Sequence, residues 1–415
     1  MKHTLTAVVV FVIIVGSIAW LESRKTSPIS QNAGDTTADI KIEDLIGTEE
    51  TNEGVQPDTA AEANMVENVP APETQAFTPP ETREARIARK SGQYSRAKEI
   101  STPDGFINAD PFMLADYIGK KVVLVDFWTY SCINCQRTTP YLNAWYDTYE
   151  DDGFVIVGIH TPEFEFEKDY DNVLEATKNL GIEFPVVLDN DYSTWVSYNN
   201  HYWPRKYLID IDGFIVYDHI GEGGYDETES EIVKALNERA VTLGTVSVTK
   251  EKMNVEADTV DFGKIRTAES YLGYGRSEYL ANTFSGSCKD VVCDFVRPSS
   301  TPLGKHAFVG RWKRAEEYSL LKEKGGSLIL HFSASKVNLV AGAESEGEVI
   351  RARVVLDGEV VTASDSGSAI DAGGYVEFSL HDLYNLIDLN GAYEEHELEI
   401  QFEDVGIEVY AFTFG

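Results

Sequence analysis

Two cysteines separated by two residues, Cys132-Ile133-Asn134-Cys135, are the residues of this chain whose type and spacing best suit chemistry. They follow an apolar run, Lys121 to Trp128, of the kind a buried parallel strand shows, and they open a helical pattern over about 134–149. At a helix N-terminus the first thiol meets unpaired N–H groups and the positive end of the helix dipole, which favour a thiolate. The second thiol lies about one turn further in and can attack a mixed disulfide formed by the first, so the pair suits thiol–disulfide exchange. A structural disulfide or half of a zinc site would use the same residues. Zinc would need a second ligand pair, and the remaining cysteines, Cys288 and Cys293, lie far along the chain in a different segment. No metal or cofactor is therefore expected beyond a redox-active Cys132–Cys135 disulfide. Gly-rich phosphate loops, HExxH and Gly-x-Ser-x-Gly are absent, leaving nucleotide, zinc-protease and serine-hydrolase chemistry unsupported.

The elements that must position this pair read as an α/β domain over residues 95–243. Further strands are expected at Phe154–Ile159, Phe184–Leu188, Tyr207–Ile211 and Phe214–Tyr217, the last two joined by the turn dipeptide Asp212-Gly213. Helical patterns run over 166–180 and 227–239. Beyond about residue 243 the pattern becomes all-β. Segments 327–332, 337–340, 350–356, 375–380, 396–402 and 407–412 mostly alternate apolar with polar, with Asp357-Gly358 and Asn390-Gly391 as turns. This predicts an antiparallel β-sandwich, jelly-roll-like, over 255–415.

The chain's start differs. An apolar run from Leu5 to Leu21 is about 25 Å long as a helix, so residues 1–21 are expected to be a signal anchor or, if cut after Ala19, a signal peptide. Residues 22–90 are acidic, rich in Thr, Ala and Pro and without sustained period, and are expected to be a disordered linker. The location implied is the cell envelope, outside the cytoplasm: anchored in the cytoplasmic membrane, or secreted if cleaved. The whole chain, 415 residues with 35 Lys+Arg against 69 Asp+Glu, has a formal net charge of −34, which argues against nucleic acid as a partner.

Asp126-Phe-Trp-(x)3-Cys132-x-x-Cys135 resembles the thioredoxin pattern, and residues 105–240 resemble its extracytoplasmic TlpA-like branch. The resemblance implies a thioredoxin fold, Asp126 as a buried proton relay to the second thiol, and a cis-proline at Pro204 that sets the register of a docked peptide. Trp128, Trp203, Ile133 and Asn134 would then contact substrate. Gly158-Ile-His-Thr-Pro-Glu-Phe164, Tyr202-Trp-Pro-Arg-Lys-Tyr-Leu-Ile-Asp210, Glu269-Ser-Tyr-Leu-Gly-Tyr274 and Tyr410-Ala-Phe-Thr-Phe-Gly415 are similar to the soluble C-terminal half of DipZ-type proteins, in which a thioredoxin-like module precedes a carbohydrate-binding-module-like sandwich. In that family both modules follow a membrane electron-transfer domain; here one short apolar segment stands in its place, and a separate membrane protein would have to supply electrons.

His160 and Glu163, at the end of the second strand, are accessory candidates, and His201 beside Pro204 is another. The expected activity is thiol:disulfide exchange with cysteines of exported proteins, as a reductase. One alternative is a peroxiredoxin-like thiol peroxidase, an antioxidant function, suggested by Thr129 three residues before Cys132 and by Arg205; Val125 stands where that superfamily carries a proline. The other is a non-enzymatic glycan-binding protein whose CxxC is a staple. In the C-terminal domain Tyr271, Tyr274, Tyr279, Phe284, Trp312 and Tyr318 suit either a core or a sugar-stacking face. Cys288 and Cys293 are expected to form a local structural disulfide, since no buried strand leads into a helix there.

Overall fold

The structure, a computed structural model, describes residues 81–250, 253, 255–284 and 286–415. The 1–21 segment and nearly all of the 22–90 tract lie outside the described residues; among those described, no helix is long and apolar enough to cross a membrane. Within the expected linker, however, Arg83–Ser91 forms helix α1. Thr82 caps it by accepting the Ala85 N–H, and Glu84 in the first turn with Arg89 and Lys90 in the last complement its dipole. Buried cations, not an apolar stripe, hold it down. Arg86 Nε lies 2.5 Å from Asp212, and Lys90 Nζ lies 2.6 Å from both Asp210 and Glu238.

The first domain is a mixed six-stranded sheet built from β1 (Gly105–Ile107), β2 (Val122–Trp128), β3 (Phe154–His160), β4 (Val186–Leu188), β5 (Arg205–Ile209) and β6 (Ile215–Ile220), in the order β1-β4-β3-β2-β5-β6. Strands β2, β3 and β4 are parallel and buried along their whole length, which is why they read as continuous apolar runs. Successive residues of β2 feed opposite faces. Val122 and Leu124 pack with Leu142 and Trp145 of α2 (Ile133–Tyr149), and with Ile232 and Leu236 of a later helix, Tyr225–Leu243. Val123, Val125 and Phe127 pack with Trp195 and Tyr198 on the other side. The helical pattern expected at 166–180 divides into a 3-10 turn at Glu165–Lys168 and helix α3 at Tyr170–Asn179, capped by the Asp169 carboxylate. Helix α4 is Ser193–Ser197, and α5 is Tyr225–Leu243.

The C-terminal domain is a large antiparallel β region of twelve strands. Its long strand Lys305–Arg314 pairs through its first half with Ser327–Ala334 and through its second half with Ser319–Leu321, so it belongs to two branches. One branch continues to Glu394–Phe402 and Ile350–Leu356; the other runs to Ile407–Phe414, Lys336–Ala343 and Asp382–Asp388. Leu328, Leu330, Ile400 and Val354 of the first branch share one core with Leu339, Phe412 and Leu386 of the second. Cys288 and Cys293 are joined as a disulfide.

The two domains touch through a small aromatic cluster. Phe164 and Phe166, in the loop after β3, pack against Tyr410, with Val340 and Ala411 completing the patch.

Candidate active site

Helix α2 begins at Cys132, whose extended backbone makes it the N-cap and whose Sγ accepts the Cys135 N–H at 3.3 Å. A sulfur capping the first turn occupies the position where helix N–H groups stabilise negative charge. Cys132 is half-buried, Cys135 is buried, and both stand as free thiols. Burial, followed by the neighbouring Cys132 sulfur, raises the Cys135 thiol well above its ordinary pKa. One sulfur is thus reachable and the other is shielded and protonated.

Asp126 is 2% exposed on β2, directly opposite Lys206 on β5. Burial pushes its carboxyl up to about 7, opposed by the Lys206 charge, and Oδ1 has no hydrogen-bond partner among the described residues. Lys206 is itself fully buried, its pKa lowered by desolvation and supported by Asp126 and Cys135; its Nζ donates to the Gly221 carbonyl at 3.1 Å. No feature of the sequence had marked Lys206. The signal available was a cation placed at an inward position of a strand pairing with β2.

The peptide bond Trp203–Pro204 is cis. Trp203 is half-buried, its ring centroid 4.2 Å from that of Trp195 at a tilt of 35°, and it donates Nε1–H to the Thr161 carbonyl at 3.0 Å. With Ile133, Asn134, His201 and Cys132 it lines a cleft of about 320 Å³. Trp128, expected at the substrate surface, is instead core: it is 3% exposed and edge-on to His160. It presses on Gly158, where a Cβ would stand 2.9 Å from its Nε1, so a glycine is needed there. His160, expected as an accessory group, is fully buried beneath Tyr130, its Nε2 3.3 Å from Thr129 Oγ1, and burial holds its pKa down at about 3. It is a neutral core imidazole and does not line the cleft.

Glu163 does line the cleft, but its Oε1 accepts hydrogen bonds from Tyr271 Oη and Arg276 Nη1, both at 2.8 Å, and so binds the second domain. A residue that sequence reasoning passed over, Glu167, is fully buried behind it. Its Oε1 accepts Ser131 Oγ–H at 2.6 Å and its Oε2 accepts the N–H groups of Glu163 and Phe164. Burial raises its carboxyl to about 7 against the pull of these hydrogen bonds. One side chain therefore fixes both the residue before Cys132 and the loop that meets the C-terminal domain. Of the C-terminal aromatics, Trp312 is core, Tyr271 faces the cleft and Tyr318 packs on Tyr410.

Comparison with known proteins agrees with this architecture. Residues 95–236 match the family described as Redoxin, and residues 267–415 match the family described as Thioredoxin like C-terminal domain. Protein DipZ of Mycobacterium bovis is 33% identical over 298 residues, covering 71% of this chain and 39% of DipZ, so the chain spans about two fifths of that relative's length. Thiol-disulfide oxidoreductase YkuV of Bacillus subtilis is 29% identical over 29% of this chain and 81% of YkuV. A crystal structure of a putative thiol:disulfide interchange protein DsbE from Chlorobium tepidum, 24% identical, covers 34% of this chain and 96% of its own, with a TM-score of 0.31. The fold, the cysteine pair, the Redoxin match and the relatives DipZ and YkuV define a thioredoxin-like protein of the oxidoreductase class. Within that class the chain is TlpA/DipZ-like.

Proposed function

We propose that this chain exchanges thiols and disulfides with cysteines of exported proteins, as a reductase on the outer side of the cytoplasmic membrane. The observation that carries this reading is the half-buried Cys132 sulfur at the N-cap of α2, in a cleft, with the buried Cys135 one turn behind it. In the proposed reaction the Cys132 thiolate attacks one sulfur of a substrate disulfide, and the other substrate sulfur leaves as a thiolate that takes up a proton. Cys135 then gives its proton to Asp126 and attacks Cys132 Sγ, releasing the second substrate thiol. Two electrons pass to substrate and the pair is left as a disulfide. Pro204 and Trp203 set the register of the incoming chain. A separate membrane electron-transfer protein would restore the dithiol, and residues 1–21 would hold the protein near it.

The peroxidase alternative is less well supported, because Arg205 is paired with Asp218 at 2.8 Å and does not line the cleft. We read the C-terminal domain as a sandwich that shapes the cleft; as a glycan binder it lacks Trp312, Tyr271 and Tyr318 as a free stacking face. The test is catalysis of insulin reduction by dithiothreitol, with hydroperoxide consumption measured on the same sample. Insulin reduction that vanishes in Cys132→Ser supports the reading; hydroperoxide consumption without insulin reduction contradicts it.

A further inference from the structure

The cleft at Cys132 has two walls from different domains. Opposite Asn134, His201 and Trp203 stand Glu269, Tyr271, Arg276, Val340, Ala411 and Thr413 of the C-terminal domain. A chain entering this cleft towards the Cys132 sulfur passes between them, and about 320 Å³ admits an extended segment with a few side chains, not a folded domain. The backbone N–H and C=O of Trp203 are unengaged among the described residues, leaving them free for such a segment.

Charge in the cleft is unbalanced. Glu163 and Arg276 pair at 2.8 Å and offset each other. Arg137, near the Asn134 side, is engaged by Glu222 at 2.7 Å. Glu269 makes no ion pair or hydrogen bond with a described residue, although Arg137 and Arg276 act on it at longer range. Walled by protein yet open to solvent, its carboxyl is raised in pKa first by partial desolvation and then by the charge of Glu163. An arriving cation would favour the ionised carboxylate and so oppose both effects.

We propose that Glu269 is a specificity residue, contributed by the C-terminal domain, that draws a Lys or Arg side chain flanking the reactive cysteine of an extended polypeptide substrate. This rests on thiol–disulfide exchange at Cys132 and adds the substrate class. The strongly acidic whole molecule works in the same direction at long range, but only a near, fixed charge discriminates between neighbouring side chains on one peptide.

The test uses two peptide disulfides, identical except for Lys or Gln beside the cysteine. Their reduction is followed at pH 8, where Glu269 is ionised, at low salt and in molar salt. Wild type should favour the Lys peptide about twofold to fivefold in kcat/KM at low salt, the range of a partly screened ion pair, and less in molar salt. Glu269→Gln should bring the ratio to about one, and Glu269→Lys should reverse it towards the Gln peptide. A wild-type ratio of one, or a ratio unchanged by both substitutions, overturns the proposal. Failure of wild type to reduce even the Gln peptide contradicts the exchange reading at Cys132 itself, and this inference falls with it.

Discussion

Asp126 and Glu167 are buried carboxyls, each pushed up to about 7 by desolvation, but their partners give them different work. Asp126 keeps an unpartnered oxygen and acts electrostatically on Cys135, which suits a proton acceptor. Glu167 has both oxygens engaged by Ser131, Glu163 and Phe164, which suits a clamp. If so, Asp126→Asn should slow turnover at neutral pH and remove the inflection near pH 7 from the pH–rate profile, whereas Glu167→Gln should retain that inflection. Glu167 should appear in stability instead. Its folded pKa lies above the ordinary 4.5, so the native state binds the proton more tightly; that contribution is complete below pH 4.5 and is lost as pH rises through about 7. The difference amounts to about 3 kcal/mol at most. Urea unfolding at pH 5 and pH 8 should show this decline in wild type and a flatter dependence in Glu167→Gln. At this scale Cys132, Cys135 and Asp126 were legible because they sit at fixed offsets within one motif, and Pro204 because it precedes a core strand where the resembled family carries a cis-proline. Lys206 and Glu167 stayed hidden, since their roles come from strand pairing and loop closure between segments distant in the chain.

Helix α1 stands inside the segment expected to be a disordered linker. Its sequence, Arg83 to Ser91, is polar nearly all round, so no apolar period announces it, and it docks through Arg86 and Lys90 onto Asp212, Asp210 and Glu238. Asp210 and Asp212 are essentially unexposed, and removing one partner of a buried pair strands the other charge. Lys90→Met should therefore destabilise the protein by about 3 kcal/mol, read as a lower urea midpoint at unchanged slope. A chain starting at residue 92 should lose less, because water then reaches both carboxylates. The central strands β2 and β3 were legible for the opposite reason: buried on both faces, they show as unbroken apolar runs. Strand Lys305–Arg314 was passed over because Lys, His and Arg interrupt its pattern as it passes between the two branches of the β region.

In the whole molecule, the loop after β3 joins reactive site and second domain. Phe164 is 2% exposed, 5.1 Å from the Tyr410 ring, and Arg276 lies over its face. Phe164→Ala should cost about 3 kcal/mol by the usual penalty for emptying an aromatic core position. By loosening the contact it should split a single calorimetric transition into two; one transition of unchanged width would mean that the domains are held together elsewhere. The succession of an α/β fold by an antiparallel β region was readable from the change in hydrophobic period near residue 243. Their shared cleft was not, because it depends on Glu163, Tyr271 and Arg276 meeting from separate domains. The central claim, that Cys132 attacks and Cys135 resolves, is tested most directly by covalent trapping. Cys132→Ser and Cys135→Ser are each mixed with a disulfide-containing protein substrate, quenched with an alkylating reagent and analysed without reduction. The account predicts that Cys135→Ser accumulates a mixed disulfide through Cys132 while Cys132→Ser accumulates little, since its remaining sulfur is buried. Equal trapping by both variants, or trapping by Cys132→Ser alone, would contradict it.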